Sequence, residues 1–466
     1  MAESNPSSNV AIPLPRGKKA MVMIGCICMM LSVAMFGLSL FTIQGPILEG
    51  MGAIEYFSLL TIFASLGLSI MTPIGGKLGD LLGRRNIVIF AGVIAVVCGL
   101  GLGLVRTFVP FAVLRLLLGA AQGTFTAAPY ILVREINEPK DVPRAMGMLA
   151  SAVAIGGFLG SLIAGALTDA GYLKAAIMFP SIPLLLGVVL IGLNLPNIKR
   201  DNIKIDVPGI LCLTVALSAL LLSLNFGSRV GWGNLLVLGG FFLAVVAGVV
   251  LVKVEDRAAE PIIPMHLFKN WNFTALLIVG FLAYFYTTAM SSYAPLAVQQ
   301  VLGASTTVSG TLQMPRTIIT MILPTILGVW VGKRKSRNWI AMAVATGVLA
   351  LAFLALSFVT PSTPVLLFFV SIAATGISDS FRSVSITPSA QMQLRREELG
   401  VGTSLVTFVN SLSSLIAAAV FGVVFDAQGG NIQAGWNSVA LTTAIAAAAG
   451  LVLVLVAVRP HFKDQR

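Results

Sequence analysis

Charged side chains are scarce in this sequence of 466 residues. Asp, Glu, Lys and Arg make up 10% of it and hydrophobic residues 57%, whereas about 25% of a typical soluble domain is charged. Such a chain has too few polar side chains to cover the surface of a soluble protein of this size. No polar linker divides the apolar runs. The composition therefore excludes water as the main solvent and predicts a single membrane-embedded unit.

Residues and motifs typical of catalytic, nucleotide-binding and metal sites are also few. The two histidines, His266 and His461, lie outside the apolar runs, and neither is directly adjacent to an acidic residue in the sequence. No Gly-x-x-x-x-Gly-Lys-Ser/Thr phosphate loop is present. The four cysteines, at positions 26, 28, 98 and 212, lie within apolar segments, where cysteine is an ordinary small hydrophobic residue. We therefore expect no enzyme activity, no use of ATP, no cofactor, no disulfide framework and no metal site.

Apolar runs long enough to cross a bilayer recur along the whole chain. A transmembrane helix needs about 20 apolar residues, and fourteen such runs fit. The first is longer than a signal-peptide core and lacks a convincing cleavage site, so we expect it to remain. We predict an all-α membrane protein whose spans 1 to 14 lie near 20–43, 57–79, 87–105, 108–133, 145–168, 175–195, 207–227, 233–253, 272–298, 307–331, 339–358, 364–390, 401–425 and 437–458.

The basic residues alternate between the two sides of the predicted membrane. A net charge of +12 could indicate nucleic-acid binding, but 24 of the 30 Lys and Arg residues fall in loops on the side of the N-terminus. The opposite loops hold only Arg106, Lys174 and Arg229. Cytoplasmic loops of membrane proteins carry such an excess. We therefore predict a multi-pass protein of the inner (plasma) membrane, with both termini cytoplasmic and no nucleic-acid partner.

A weak internal repeat predicts two related halves. The end of span 2, Gly76 to Asn86, has a counterpart at the end of span 10, Gly328 to Asn338. Halves of this kind, with a substrate site at their midplane junction, are a design of secondary transporters that work by alternating access. We predict a cytoplasmic arm at 1–19, a six-helix half at 20–196, a linker with two inserted spans at 197–271, a second six-helix half at 272–459 and a cytoplasmic tail at 460–466.

The loop after span 2 contains a motif of small, acidic and basic residues: Gly76, Leu78, Gly79, Asp80, Gly83, Arg84 and Arg85. It resembles the signature loop of the major facilitator superfamily, in which the aspartate and arginines form a charge network between helices that closes the cytoplasmic gate. The resemblance implies a gating role for Gly76, Asp80, Gly83, Arg84 and Arg85. The loop departs from the family at Leu81, where a basic residue is usual. The alternative is a charge cluster that only sets topology.

Span 4 contains Arg115 followed by Gly119 and Gly123. This spacing is similar to an element of the proton-antiporter branches of the family, and the similarity implies that Arg115 takes part in proton transfer. The alternative is a structural arginine bonded to backbone carbonyls.

The glycine-rich stretch from 156 to 165 in span 5 resembles the antiporter motif, with Ser161 where proline is usual. A proline kinks a helix more than a serine does, so export is less strongly implied.

Taken over nearly its whole length, the chain resembles the fourteen-span drug/proton antiporter branch of the superfamily. The resemblance implies a major facilitator fold and a secondary, proton-coupled transporter of amphipathic organic compounds. One feature of that branch is missing. Its first span usually carries an acidic residue some nine positions before a proline, and Gly37 stands at that position before Pro46.

Only one acidic residue, Asp379, lies well inside a predicted span. Intramembrane carboxylates often mark proton pathways, so we predict that Asp379 carries the coupled proton. Arg382 lies at i+3 on the same helix face and is the expected partner. The alternative is a permanent structural ion pair between the two.

Arg316 lies at a depth similar to that of Arg115 by helix arithmetic, and Asp379 lies about 9 Å deeper, so a direct Arg316–Asp379 pair stays open. Span 1 contains no acidic residue, so these two arginines favour an alternative substrate, an amphipathic organic anion. In this alternative the protein is a proton-linked carrier and could be an importer. The candidate substrate-binding residues are Tyr284, Gln313, Arg316 and Asn410. We expect a monomer whose partners are a small-molecule substrate, protons and the lipid bilayer.

Overall fold

The computed structural model of the protein describes residues 14–138, 141–196, 207–256, 265–334, 337–394 and 399–460. Within these ranges it contains helices and no strands. Fourteen helices of the described residues are long and apolar enough to cross a membrane. The predictions of an all-α membrane protein and of fourteen spans are therefore confirmed.

The observed helices keep the span numbers used above. Spans 1 to 7 are Arg16–Thr42, Phe57–Leu82, Arg84–Leu102, Phe108–Ile136, Val142–Asp169, Leu173–Met178 with Ser181–Asn194, and Val207–Val230. Spans 8 to 14 are Leu235–Glu255, Trp271–Tyr284 continuing to Gln300, Thr306–Thr311 with Met314–Gly332, Arg337–Leu356, Val365–Gln391, Leu399–Asp426, and Ile432–Leu453 with Val454–Val458. Three short helices lie between spans, at Gln44–Gly50, Ile54–Tyr56 and Met265–Lys269.

Several predicted boundaries differ from the observed ones for local reasons. Span 14 begins at Ile432, before the predicted residue 437, because the Asn431 side chain accepts a hydrogen bond from the amide of Ala434 and caps the helix. Span 6 is interrupted at Phe179 and Pro180, since proline cannot supply a backbone donor to a helix interior. Hydropathy locates an apolar run, but it does not indicate where a cap begins the helix or where a proline interrupts it.

The chain forms two compact units. Unit 1 comprises 1–40 and 66–205, and unit 2 comprises 41–65 and 206–466. The two inserted spans, 7 and 8, belong to unit 2.

In unit 1, glycines bring helix backbones into direct contact. A Cβ atom at Gly156 would lie 2.4 Å from the carbonyl oxygen of Leu31, and one at Gly160 would lie 2.6 Å from the Cα of Met35. The glycine-rich stretch of span 5 therefore packs against span 1. Small residues permit such close approach where lipid gives no hydrophobic drive between helices.

In unit 2, span 13 packs on span 7 and on the start of span 2. A Cβ atom at Gly422 would lie 3.2 Å from the Cβ of Ser58 and 3.5 Å from Nδ2 of the buried Asn225. Phe57, Tyr293 and Phe425 pack beside this contact, with ring centroids 5.2 to 6.2 Å apart. The inserted span 7 is thus an integral part of this unit.

Candidate functional site

Spans 10 and 12 of unit 2 come into close backbone contact at Gly376. A Cβ atom there would lie 3.0 Å from both the Cα and the carbonyl oxygen of Arg316. A methyl group at this position would push the neighbouring backbone away by a few tenths of an ångström. The glycine therefore lets span 10 lie close enough to span 12 for the Arg316 side chain to reach Asp379, one turn further along.

The Asp379 carboxylate is buried and accepts five hydrogen bonds. Its Oδ2 accepts from Nε of Arg316 at 2.9 Å, from Nη2 of Arg316 at 2.7 Å and from Oη of Tyr286 at 2.6 Å. Its Oδ1 accepts from Nη2 of Arg382 at 2.7 Å and from Nε of Arg382 at 3.3 Å. We refer to Asp379, Arg316, Arg382 and Tyr286 as the Asp379 cluster.

Aromatic rings hold both guanidinium groups of the cluster. Cζ of Arg382 lies 4.2 Å from the ring centroid of Tyr284, and Cζ of Arg316 lies 5.7 Å from that of Tyr286. Both distances are within the range of cation–π attraction. Tyr284 therefore contacts the cluster through Arg382 and does not contact the carboxylate.

Gln313 connects the cluster to a distorted turn of span 9. Its Oε1 accepts from Nη1 of Arg316 at 3.4 Å, and its Nε2 donates to the carbonyl oxygen of Met290 at 3.3 Å. Met290 lies in a π-helical turn, Ala289–Tyr293, that follows Tyr286 by three residues. A π turn widens the helix and often occurs at functional sites.

The charges of the cluster do not cancel. Two ionised guanidinium groups and one carboxylate leave a formal excess of one positive charge. Oδ2 accepts three hydrogen bonds and Oδ1 accepts two, so a proton that binds Asp379 would compete with a guanidinium or with the Tyr286 hydroxyl. The Arg316 side chain is 26% exposed, against 8% for Asp379. Arg316 is more exposed than Arg382, whose side chain is 15% exposed.

The structure brings together most of the residues that the sequence singled out in the second half. Arg382 pairs with Asp379 as expected, and the Arg316–Asp379 pair, which the sequence left open, forms. Tyr286 was missed as a site residue. It was visible only as one of several aromatic residues in span 9, and the direction in which its side chain points depends on how the helices pack.

Asn410 lies beside span 9, where its Oδ1 would be 3.6 Å from a Cβ at Gly280. It is not one of the side chains that bind Asp379.

The predicted gating residues lie in unit 1. Gly83 has a φ of +89° and precedes span 3, a conformation that favours glycine. Nη2 of Arg84 lies 3.4 Å from Oε1 of Glu135 in span 4, and Nε of Arg85 donates to the carbonyl oxygen of Gly192 at 2.8 Å. Glu135 was not predicted. The surroundings of Gly76 and the side chain of Asp80 fall outside the described part of the chain.

Arg115 is 5% exposed and lies in span 4 of unit 1, whereas the Asp379 cluster belongs to unit 2. A Cβ atom at Gly67 would lie 2.3 Å from the carbonyl oxygen of Leu116, and one at Gly123 would lie 2.4 Å from that of Leu68. The glycines around Arg115 therefore pack span 4 tightly on span 2.

Fourteen apolar helices and a buried charge cluster between helices define a multi-pass membrane protein with an intramembrane polar site. The sequence model of the Major Facilitator Superfamily matches residues 22–418. The chain belongs to this superfamily and is a transporter of small molecules.

Two related proteins are also named for the transport of, or resistance to, multiple drugs. The chain is 28% identical over 422 residues to the multidrug transporter protein MdtP of Bacillus subtilis, a match that covers 90% of this chain and 77% of MdtP. It is 26% identical over 410 residues to Multidrug resistance protein 3 of the same organism, covering 86% of this chain and 79% of that protein.

A solved structure supports the fold alone. The peptide transporter POT, solved in complex with sulfate, superposes with a TM-score of 0.70 over 97% of this chain and 97% of that chain. Its sequence identity to this chain is 14%.

Proposed function

We propose that this protein is a proton-driven exporter of amphipathic organic compounds that works by alternating access in the plasma membrane. The relatives named for multidrug transport support the substrate class, because they align over most of their own length. The distribution of basic residues supports cytoplasmic termini. We infer that a single chain forms the transporter and that six-helix halves at 20–196 and 272–459 flank the inserted spans.

The observation that carries the proton-coupling proposal is the saturated carboxylate of Asp379. Deprotonated, it binds two guanidinium groups and the Tyr286 hydroxyl. Protonated, it loses its charge and with it the main attraction for Arg316 and Arg382. Proton binding and the separation of spans 9, 10 and 12 at this point are therefore linked. Asp379 acts in this proposal as a switch between two arrangements of its own cluster.

The gating part of the proposal rests on unit 1. Arg84 and Arg85 bind Glu135 and the Gly192 carbonyl, so they connect the ends of spans 3, 4 and 6. We propose that these contacts, with Gly76, Asp80 and Gly83, hold the cytoplasmic ends of the helices together in one state of the transport cycle. We propose that Arg115 assists proton movement in this unit.

A second candidate function is a proton-linked carrier of an amphipathic organic anion. The excess positive charge of the Asp379 cluster and the partial exposure of Arg316 favour it, because a guanidinium binds carboxylates and sulfonates through paired donors. In this case Arg316, Gln313 and Tyr284 would contact the substrate, with Asn410 of span 13, which lies beside span 9.

Transport by purified protein in liposomes distinguishes these proposals. Cationic, neutral and anionic amphiphiles are followed together with lumenal pH, under an acid-inside or an alkaline-inside gradient. Proton exchange predicts accumulation of cationic or neutral compounds in acid-inside vesicles with lumenal alkalinisation. A proton-linked anion importer predicts accumulation of anions in alkaline-inside vesicles. Movement that is the same in both gradients and in the presence of a protonophore would contradict proton coupling.

A further inference from the structure

A second polar site lies in unit 2, apart from the Asp379 cluster. It is a cavity of about 630 Å³ at the end of the unit where spans 7, 9 and 13 finish and spans 2 and 14 begin. Small-molecule sites have volumes of roughly 300 to 1,000 Å³. The side chains that decide its chemistry are Glu55, Tyr56, Phe57, Phe226, Phe425 and Asp426.

The walls of this cavity combine carboxylates with aromatic rings. Glu55 and Asp426 each contribute an acidic side chain, and three phenylalanines and one tyrosine contribute rings. A carboxylate attracts a cation, and an aromatic face adds cation–π attraction while it covers an apolar body. An aromatic cage with acids is the arrangement that suits an organic cation with a bulky apolar body.

The cavity is built by contacts of the protein core. Asp426 accepts a hydrogen bond from Oγ of Ser58 at 2.8 Å, which orients its carboxylate. Phe57 is 1% exposed, and its ring lies 6.2 Å from that of Phe425. Phe226, by contrast, is 41% exposed. The rigid side of the cavity is therefore formed by spans 2 and 13, and the inserted span 7 supplies an accessible ring.

We propose that this cavity binds an amphipathic organic cation, and that the inserted span 7 serves to complete it. The site is separate from the Asp379 cluster, because none of the residues of that cluster lines the cavity. The proposal goes beyond proton-driven transport and does not depend on it. By the predicted topology, the cavity opens on the outer side of the membrane, where an exported cation would leave.

Site-directed protection from a thiol reagent tests the proposal in lipid nanodiscs. Val230 lines the cavity and is 53% exposed, so Val230→Cys, in a background with the four native cysteines replaced by alanine, reports on occupancy. The probe is tetraphenylphosphonium, compared with the neutral triphenylphosphine oxide and the anion tetraphenylborate. We expect saturating tetraphenylphosphonium to slow reaction with a methanethiosulfonate reagent about tenfold, and the other two compounds to have little effect. The control is Leu235→Cys, which is 83% exposed and outside the cavity lining.

Charge-removing variants determine the cause of any protection. Glu55→Gln with Asp426→Asn should raise the tetraphenylphosphonium concentration for half-protection about tenfold, which corresponds to about 1.4 kcal/mol. Glu49→Gln is the matched control, since Glu49 lies in the same connection, is hydrogen-bonded to Gln300 and does not line the cavity. It should leave protection unchanged. Monodisperse elution and an unchanged reaction rate of Leu235→Cys verify folding.

Three outcomes would overturn the proposal. The first is the absence of protection by tetraphenylphosphonium. The second is equal protection by the neutral compound or by the anion. The anion is included because the basic residue Arg229, whose side chain is outside the described residues, precedes Val230 in the sequence. The third is protection that persists in the double variant. All three outcomes are read from thiol protection in nanodiscs, which does not require a proton gradient. A result in liposomes that contradicts proton coupling would therefore leave them unchanged, and the two proposals can fail separately.

Discussion

Gly376 lies directly against the backbone of Arg316, and a Cβ atom at Gly376 would come within 3.0 Å of both its Cα and its carbonyl oxygen. This contact sets the distance between spans 10 and 12 beside Asp379. The Asp379 cluster therefore depends on a residue without a side chain as much as on its charged members.

We expect Gly376→Ala to reduce gradient-driven transport strongly, because spans 10 and 12 must separate and the Arg316–Asp379 pair lengthens. Overpacking of this kind costs about 1 to 3 kcal/mol, which a lower apparent melting temperature of the purified protein would report. Gly347→Ala is the control, since its Cβ would meet only Leu451 at 3.8 Å. Equal effects of the two substitutions would contradict the role given to Gly376.

Asp379→Asn should abolish gradient-driven transport and leave counterflow exchange, because the amide cannot take up the coupled proton. It also removes the negative charge between two partly buried arginines, and the cost of about 3 to 5 kcal/mol for breaking a fully buried pair is an upper bound for the loss of stability. Apparent melting temperature is therefore measured beside transport. Full driven activity of Asp379→Asn would exclude the carrier role.

Tyr286→Phe is a milder change at the same carboxylate. It deletes the hydrogen bond to Oδ2 and preserves both ion pairs. The expected loss is about 1.5 to 3 kcal/mol of stability, the range for a hydrogen bond to a charged group, with proton-driven transport retained at a reduced rate. Loss of transport as complete as in Asp379→Asn would mean that the hydroxyl is itself needed for proton movement.

Arg316→Ala distinguishes the two proposed substrate classes. We expect selective loss of anionic substrates, because Arg316 is the more exposed cation of the cluster. Arg337→Ala is the control, since Arg337 contacts Trp330 and lies outside the cluster. Uptake of cationic, neutral and anionic amphiphiles is compared in the same vesicles. If Arg316→Ala reduces cationic and anionic substrates equally, the anion hypothesis is wrong.

Tyr284 is predicted to act through its ring. Tyr284→Phe keeps the stacking on Arg382 and should preserve transport, whereas Tyr284→Leu should lower stability by about 0.5 to 2 kcal/mol, the range of a cation–π contact. The readouts are apparent melting temperature and substrate KM. A large rise in KM for Tyr284→Phe would instead indicate that the hydroxyl contacts the substrate.

The Arg84–Glu135 contact is testable by a double-mutant cycle. Arg84→Gln and Glu135→Gln should each reduce stability, and the double variant should show a coupling of about 0.2 to 1 kcal/mol, because the pair is partly exposed at a distance of 3.4 Å. Thermal unfolding of the four proteins measures it. Strict additivity would remove Glu135 from the proposed gate.

Much of the fold follows from the sequence. The number of spans, the all-α class and the superfamily could be predicted, because lipid requires every spanning segment to be apolar and internally hydrogen-bonded. The pair formed by Asp379 and its i+3 neighbour Arg382 could also be predicted, since both lie on one helix and helix geometry sets their spacing.

Contacts between helices could not be predicted in this way. Whether Arg316 reaches Asp379, which of the aromatic residues of span 9 binds the carboxylate, and that Glu135 faces Arg84 all depend on the rotation and depth of one helix relative to another. Hydropathy does not define either quantity, because lipid-facing and buried positions of a span are equally apolar. The sequence by itself determined the elements of this transporter and the identity of its buried charges. Only the tertiary structure decided which charges meet, because close packing at residues such as Gly376 sets the helix register.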